Sequence, residues 1–285
     1  MANIAAYLAA IMNAVYGEEV RGSIHDAIDA INTESIATKT TANNAMTTAN
    51  AAAAVVGGYG GLEHRNHWRG RNLGSSVTND QWTAIQNGSF NDLFIGDYWL
   101  INNVYWQIMD FDYWYNRGSN LQKHHAVIVP SGSLYNGVMN DTDTTDGGYY
   151  GSKMNTTGLS QALSMVNAAF GESHIIEHDD SYSSDIRDGI IAGNTAVTNA
   201  KIGLLDEIMM FGCRIKNMSR ENKFNTYQLA GMRLRPYYPA RATHWLRDVG
   251  NNRNFVVVGG DGTVYEYGAS TSFGVRPVFA IGVNS

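Results

Sequence analysis

The chain has one cysteine, Cys213, in 285 residues, so no disulfide can close within it. A single thiol excludes the disulfide-stapled design of small secreted scaffolds and fits assembly in a reducing cytoplasm. Leu204, Leu205, Ile208, Met209, Met210 and Phe211 precede Cys213, so its expected place is a buried element, where free cysteine acts as a small hydrophobe. Four prolines are few beside thirty glycines and 11% aromatics, a balance that suits a loop-rich, strand-containing domain. No apolar run is long enough to span a bilayer, so no membrane insertion is expected. Residues 4–15 are periodic rather than continuously apolar, lack a basic start and run into Glu18-Glu19, unlike a signal peptide. Basic charge is also scarce: the net charge of −6 argues against a nucleic-acid partner.

Catalytic signatures are missing too. There is no nucleophile elbow, Walker loop or dinucleotide fingerprint, and Gly259-Gly260-Asp261-Gly262 reads as turn chemistry. His174 and His178, with Glu172, Glu177 and Asp179 nearby, have helix-turn spacing for a metal. However, Ile175-Ile176 and Asp179-Asp180-Ser181 read as strand or turn, and His64-x-x-His67 is weaker still. Asn140, Asp141, Asp143 and Asp146 offer oxygen ligands for calcium, or serve turns through side-chain to backbone bonds. The expectation is no enzyme, no cofactor and no metal. Residues 214–253 carry nine basic side chains (Arg214, Lys216, Arg220, Lys223, Arg233, Arg235, Arg241, Arg247 and Arg253) against Glu221 and Asp248. This run fits either a surface for anionic glycans or teichoic acids, or arginines paired and stacked within the fold.

What is present divides into two parts. Within residues 1–56, Ile4, Tyr7, Leu8, Ile11, Met12 and Val15 recur at helical spacing, and Gly17 suits a stop. A second helix is expected from Ser23, with Asp26 in a capping-box-like place. From there Ile24, Ile28, Ile31, Ser35, Thr38, Ala42, Ala45, Ala49, Ala52 and Val56 follow a 4-3 alternation, the seam of a coiled coil. Large residues open the seam and small ones continue it, so it permits close approach but buries little surface. The opposing reading of residues 37–54 is a low-complexity Ala/Thr/Asn tract. Residues 57–61, Gly-Gly-Tyr-Gly-Gly, then break the helix as a linker.

Residues 62–285 read as one mixed domain. Thr78-x-x-Gln81 caps a short helix through Trp82 and Ile85, and strands 98–101 and 104–108 flank an Asn102-Asn103 turn. Leu159, Ala162, Leu163, Val166, Ala169 and Phe170 form an amphipathic helix that ends at Gly171. Residues 171–200 and 214–244 are expected to be long irregular insertions. Near the end, Trp245-Leu246-Arg247 leads into the polar run from Gly250 to Asn254, then a hydrophobic strand, an Asp261-Gly262 turn, a strand over 263–267, and Gly274-Val275-Arg276-Pro277-Val278-Phe279. Asp-Gly between alternating strands predicts a two-residue hairpin turn, and the Asn-rich run predicts a displayed loop.

This tail resembles the C-type-lectin-like domains of phage and bacterial surface proteins, including the variable proteins diversified by retroelements. The likeness extends upstream through Gly96-Asp97-Tyr98-Trp99-Leu100-Ile101-Asn102, Trp106-Gln107-Ile108, His124-His125-Ala126-Val127-Ile128-Val129-Pro130 and Met139-Asn140-Asp141, together covering residues 75–285. The N-terminal segment, through Tyr16-Gly17-Glu18-Glu19-Val20-Arg21-Gly22-Ser23-Ile24, resembles that of baseplate and tail proteins from phages of Gram-positive bacteria. The resemblance implies an α+β, C-type-lectin-like fold behind a coiled-coil-like stalk. It also implies a tail receptor-binding protein, built in the host cytoplasm and carried on the virion, that recognises a host cell-surface protein or glycan and docks on other tail or baseplate proteins. Copies, three above all, would join through Ile24, Ile28, Ile31, Ala42, Ala45, Ala49, Ala52 and Val56.

The ligand face would comprise Asp248, Asn251, Asn252, Arg253, Asn254, Phe255, Tyr265, Tyr267, Ser270, Thr271, Ser272 and Phe273, a paratope-like mixture of amides, an arginine and aromatic rings. Some of these positions would be open to retroelement diversification. Trp245, Leu246, Val275, Pro277 and Phe279 would be scaffold, with Arg276 bracing the final strand. The sugar-and-calcium triplets of animal C-type lectins are absent, so calcium-dependent sugar binding does not carry over. Formylglycine-generating enzymes of the same superfamily use paired cysteines, which one thiol cannot reproduce. The alternative is a non-enzymatic connector that binds another virion protein.

Overall fold

The computed structural model describes residues 9, 12–13, 17–57, 62–116, 122–183, 186–187, 190–191, 194–216, 227–235 and 242–284. Two compact units divide the chain, residues 1–58 and 59–285. In the first, helix α1 (Glu18–Gly57) runs for 40 residues, about 60 Å at 1.5 Å per residue. It begins at Glu18 rather than Ser23: the break falls at Gly17, and the acidic pair Glu18-Glu19 suits the positive end of the helix dipole. Ser23 is therefore not a cap. Thr33, Thr40, Thr41 and Thr47 each donate a hydroxyl hydrogen bond to the carbonyl four residues earlier. Of the seam, Ile24, Ile31, Ala42 and Ala45 are exposed and Ile28 is half-buried. Ala49, Ala52 and Val56 lie on the helix, with side chains outside the described residues. The helix expected over residues 4–15 and the linker beyond Gly57 also fall largely or wholly outside them.

The second unit is α+β. Its helices are α2 (Leu62–Arg65), α3 (Asn79–Gln86), α4 (Gly148–Gly151), α5 (Ser160–Phe170), α6 (Glu207–Phe211) and α7 (Ala230–Leu234). Its strands are β1 (Tyr98–Ile101), β2 (Val104–Phe111), β3 (His125–Pro130), β4 (Tyr135–Gly137), β5 (His178–Ser183), β6 (Ile186–Arg187), β7 (Ile190–Ile191), β8 (Asn194–Ala200), β9 (Gly203–Leu204), β10 (His244–Val249), β11 (Asn254–Val258), β12 (Val264–Gly268), β13 (Phe273–Val275) and β14 (Pro277–Gly282). One five-stranded sheet has the order β1-β2-β3-β14-β9, and another the order β12-β11-β10-β13-β4.

Local chemistry accounts for much of this. Thr78 and Gln81 form a reciprocal capping box at α3, and α5 stops at Gly171 with φ 84°. Asn102 and Asn103 take φ of 52° and 61° between β1 and β2, the paired left-handed turn that asparagine tolerates. The β11–β12 hairpin differs from the expected two-residue turn. Gly259 N–H donates to the Thr263 carbonyl at 2.8 Å, so Gly260, Asp261 and Gly262 make a wider loop and the second strand shifts to start at Val264. Residues 178–183 and 194–200 are also more regular than expected, because β5 and β8 pair antiparallel.

The first sheet is covered on both faces, which explains its nearly continuous apolar strands. On one face Ile108, Ile128, Phe279 and Ile281 pack with Ile85 of α3 and Val166 and Phe170 of α5. On the other, Val127, Val129, Val278 and Ala280 meet Leu246, Val256 and Val258 of the second sheet and Met209 of α6. The second sheet's far face holds Trp245, Phe255, Val257 and Val275 against Tyr149, Met154 and Leu159. β12 ends this sheet and is half-exposed along its length.

Candidate ligand-binding surface

The turn at residues 250–253, between β10 and β11, is a hairpin loop fixed by its own side chains. Asn251 Oδ1 accepts hydrogen bonds from the N–H groups of Arg253 (2.9 Å) and Asn254 (3.1 Å), while its Nδ2 donates to Glu266 Oε2 at 2.7 Å. Its carbonyl accepts from Thr145 Oγ1 at 2.9 Å. The loop's position is thus set by β12 and by a segment more than a hundred residues upstream. Asn252 and Arg253 point outward, and the Arg253 side chain is 69% exposed.

The turn after β12 is held by the same upstream segment. Asp143 Oδ1 accepts from the Ser270 hydroxyl at 2.7 Å and the Ser270 N–H at 3.0 Å, and Asp143 Oδ2 lies 3.6 Å from Arg253. Hydrogen bonds from Ser270, helped by Arg253, hold the Asp143 carboxyl below its usual pKa. A Cβ at Gly268 would lie 2.4 Å from Asp143 Oδ1, so any larger residue there would displace this carboxylate. Ser270 and Ser272 are exposed, and Thr271 and Phe273 half-buried.

Four aromatic rings link the core to this surface. Buried Trp245 meets Phe273 edge-on at 5.2 Å, Phe273 meets Tyr267 at 4.9 Å, and Tyr267 meets Tyr265 at 6.3 Å. Tyr265 and Tyr267 are 40% and 43% exposed. Strand alternation puts both on one face of β12, and the tyrosine rings offer apolar area with a polar tip.

Two residues expected on this face are not there. Phe255 is fully buried, because β11 has a neighbouring strand on each side and its far face is covered. Asp248 is buried as well, with Oδ2 accepting from the Glu207 N–H at 2.7 Å at the start of α6. The other ten cluster across the 250–253 turn with the start of β11, along β12, and across the 270–272 turn with the start of β13. Asp143, Thr145 and Glu266, which secure these loops, were not legible as part of the site. Asp143 had a turn signal but no clue to its distant partner.

The basic run of residues 214–253 does not form one surface. Arg247 is buried and donates to Asp180 (2.5 and 3.0 Å) and Asp206 (2.7 Å). Burial opposes its charge, but the two carboxylates more than offset this and hold its pKa well above the usual value. Arg235 lies over Trp68 and Arg233 donates to Asn66, while Arg220, Lys223 and Arg241 are outside the described residues. The pairing-and-stacking reading fits these arginines better than an anionic-ligand surface.

The metal candidates have protein partners. His174 stacks on Trp82 at 3.9 Å, and His178 is buried against Trp114 at 3.7 Å. Asp141 pairs with Lys153, and Asp143 with Ser270 and Arg253. Among the described residues no group of three or more His, Cys, Asp or Glu side chains is placed to hold a metal. Cys213 is exposed rather than buried: Gly212, with φ 77°, ends α6 and turns the chain outward. Trp245, Leu246, Val275, Pro277 and Phe279 are buried as scaffold, and Arg276 Nε donates to the Pro130 carbonyl at 2.8 Å.

Compared with protein-family models, curated proteins and solved structures, the chain matches none. Its class therefore rests on its own architecture: an α+β protein whose second unit stacks two mainly antiparallel five-stranded sheets.

Proposed function

We propose that the chain is a non-enzymatic receptor-binding protein of a phage tail, carried on the virion and recognising a host cell-surface protein or glycan. Its second unit would be a C-type-lectin-like domain. Two features support that reading: β14, near the chain end, lies in the same sheet as β1 to β3, and the hairpins and helices follow the order expected of such a domain. The observation that carries the functional reading is the aromatic line from buried Trp245 to exposed Tyr265, flanked by the braced outward loop of Asn252 and Arg253. Pre-organised aromatic anchors beside adaptable polar groups bind at low ordering cost. α1 would join copies of the chain, most simply three, as a coiled-coil stalk, so that weak contacts act together.

The test is binding of the full-length protein to a panel of bacterial cells. With a cell that binds, the double variant Tyr265→Ala/Tyr267→Ala should weaken attachment at least tenfold, with thermal stability little changed. Unaltered attachment would overturn this placement of the face. A second reading is a connector that binds another virion protein. It is favoured by β12 being the terminal strand of its sheet, an edge to which a partner strand can add. Pull-down of a tail protein that is lost with the same tyrosine substitutions, without cell attachment, would favour it.

A further inference from the structure

Residues 30–57 contain only two charged side chains, Glu34 and Lys39. Five residues apart on one helix places them about 140° apart around the axis, so they cannot reach each other. Both are exposed, and neither has an ion-pair partner among the described residues. Their places relative to the seam are specific. Numbering Ile28 as a and Ile31 as d puts Ser35 at a and Thr38 at d, which sets Glu34 at g and Lys39 at the following e. In parallel helices aligned in register, g of one helix faces the e five residues further along its neighbour. We propose that α1 associates with further copies of itself in parallel and in register, with Glu34 of each copy paired to Lys39 of the next. This rests on the reading that α1 joins copies of the chain.

An antiparallel arrangement fails on the same residues. It faces g with g and e with e. The other g positions, Val20, Ala27, Thr41, Thr48 and Val55, offer Glu34 no cation. Of the other e positions, His25, Asn32, Met46 and Ala53 offer Lys39 no anion, and Glu18 could face it only in a register that leaves residues 40–57 without a partner helix. The helix's small and polar residues agree with the heptad numbering itself, although Ile36 falls at an outer b position. Ala42 and Ala45 let backbones come close, while Asn43, Asn44 and Asn50 fall at outer b and c positions. Thr33, Thr40 and Thr47, all at f, satisfy their hydroxyls within their own helix. Because the seam is short of large apolar side chains, the single charge pair has unusual weight in choosing orientation. Parallel alignment also places Gly57 of every copy at the same end.

The test uses the full-length chain in a Cys213→Ser background. Ser35→Cys, at a, should cross-link copies on mild oxidation, whereas Thr40→Cys, at f, should not. Glu34→Lys and Lys39→Glu should each weaken self-association roughly tenfold, and an equimolar mixture of the two should regain it by forming mixed oligomers. If the parent protein is an oligomer by light scattering but Ser35→Cys cross-links no better than Thr40→Cys, the orientation is wrong while the stalk stands. The same holds if mixing restores nothing. A monomeric parent overturns both the pairing and the stalk.

Discussion

Arg247 carries its charge inside the second unit, held by Asp180 and Asp206 with its ring-facing side 5.0 Å from Tyr182. Arg247→Met removes the cation and leaves two carboxylates in low dielectric without a partner. The expected loss is about 3–5 kcal/mol, read from urea denaturation near neutral pH. His178 and His244 give the fold a second electrostatic dependence. Burial first, then the charge of neighbouring His125 and Arg247, lowers the His178 pKa to about 3; burial and Arg276 bring His244 to about 3. Both histidines are neutral when folded but take up protons when unfolded once the pH falls below about 6.5. Their stabilisation is therefore complete above that pH and declines as pH falls toward 3, by about 1.4 kcal/mol per unit for each histidine. Asp110, whose pKa burial raises, acts in the opposite sense. Urea midpoints at pH 7.0, 5.5 and 4.5 should fall, and His244→Asn should flatten the slope. A parallel slope in that variant would assign the dependence elsewhere.

At the scale of elements, the capping box of α3 is the clearest case of local sequence setting a boundary. Gln81 Oε1 accepts from both the Thr78 N–H and Trp99 Nε1, tying the start of α3 to β1. Thr78→Ala should cost about 1 kcal/mol, measured as a lowered urea midpoint; an unchanged midpoint would mean that water replaces the cap. The asparagine turn after β1, the glycine stop of α5 and the paired strands of the last hairpin were likewise legible, because each depends on residues close in sequence. The strand faces were not. β10 is buried along its whole length, between β11 and β13 with both sheet faces covered, so alternation could not reveal that Asp248 turns inward. Phe255 was misplaced for the same reason: adjoining the polar turn, it lies in β11, whose far face is also covered.

For the whole molecule, the two units make separate predictions. A chain beginning near residue 62 should fold as a monomer with the stability of the parent's second unit, while the full chain should be oligomeric by light scattering. An oligomeric truncated chain would move association away from α1. The sequence by itself determined the long helix, the capped helix α3, the glycine-stopped helix α5, the hairpin strands and the aromatic-rich tail, since periodicity and turn chemistry act over a few residues. Only the tertiary structure decided which tail residues face outward and that residues 143–145 secure them. It also decided that Arg247 belongs to the interior and Cys213 to the surface. Burial depends on what covers both faces of a strand, and the bonds from Thr145 to Asn251 and from Ser270 to Asp143 each join residues more than a hundred positions apart.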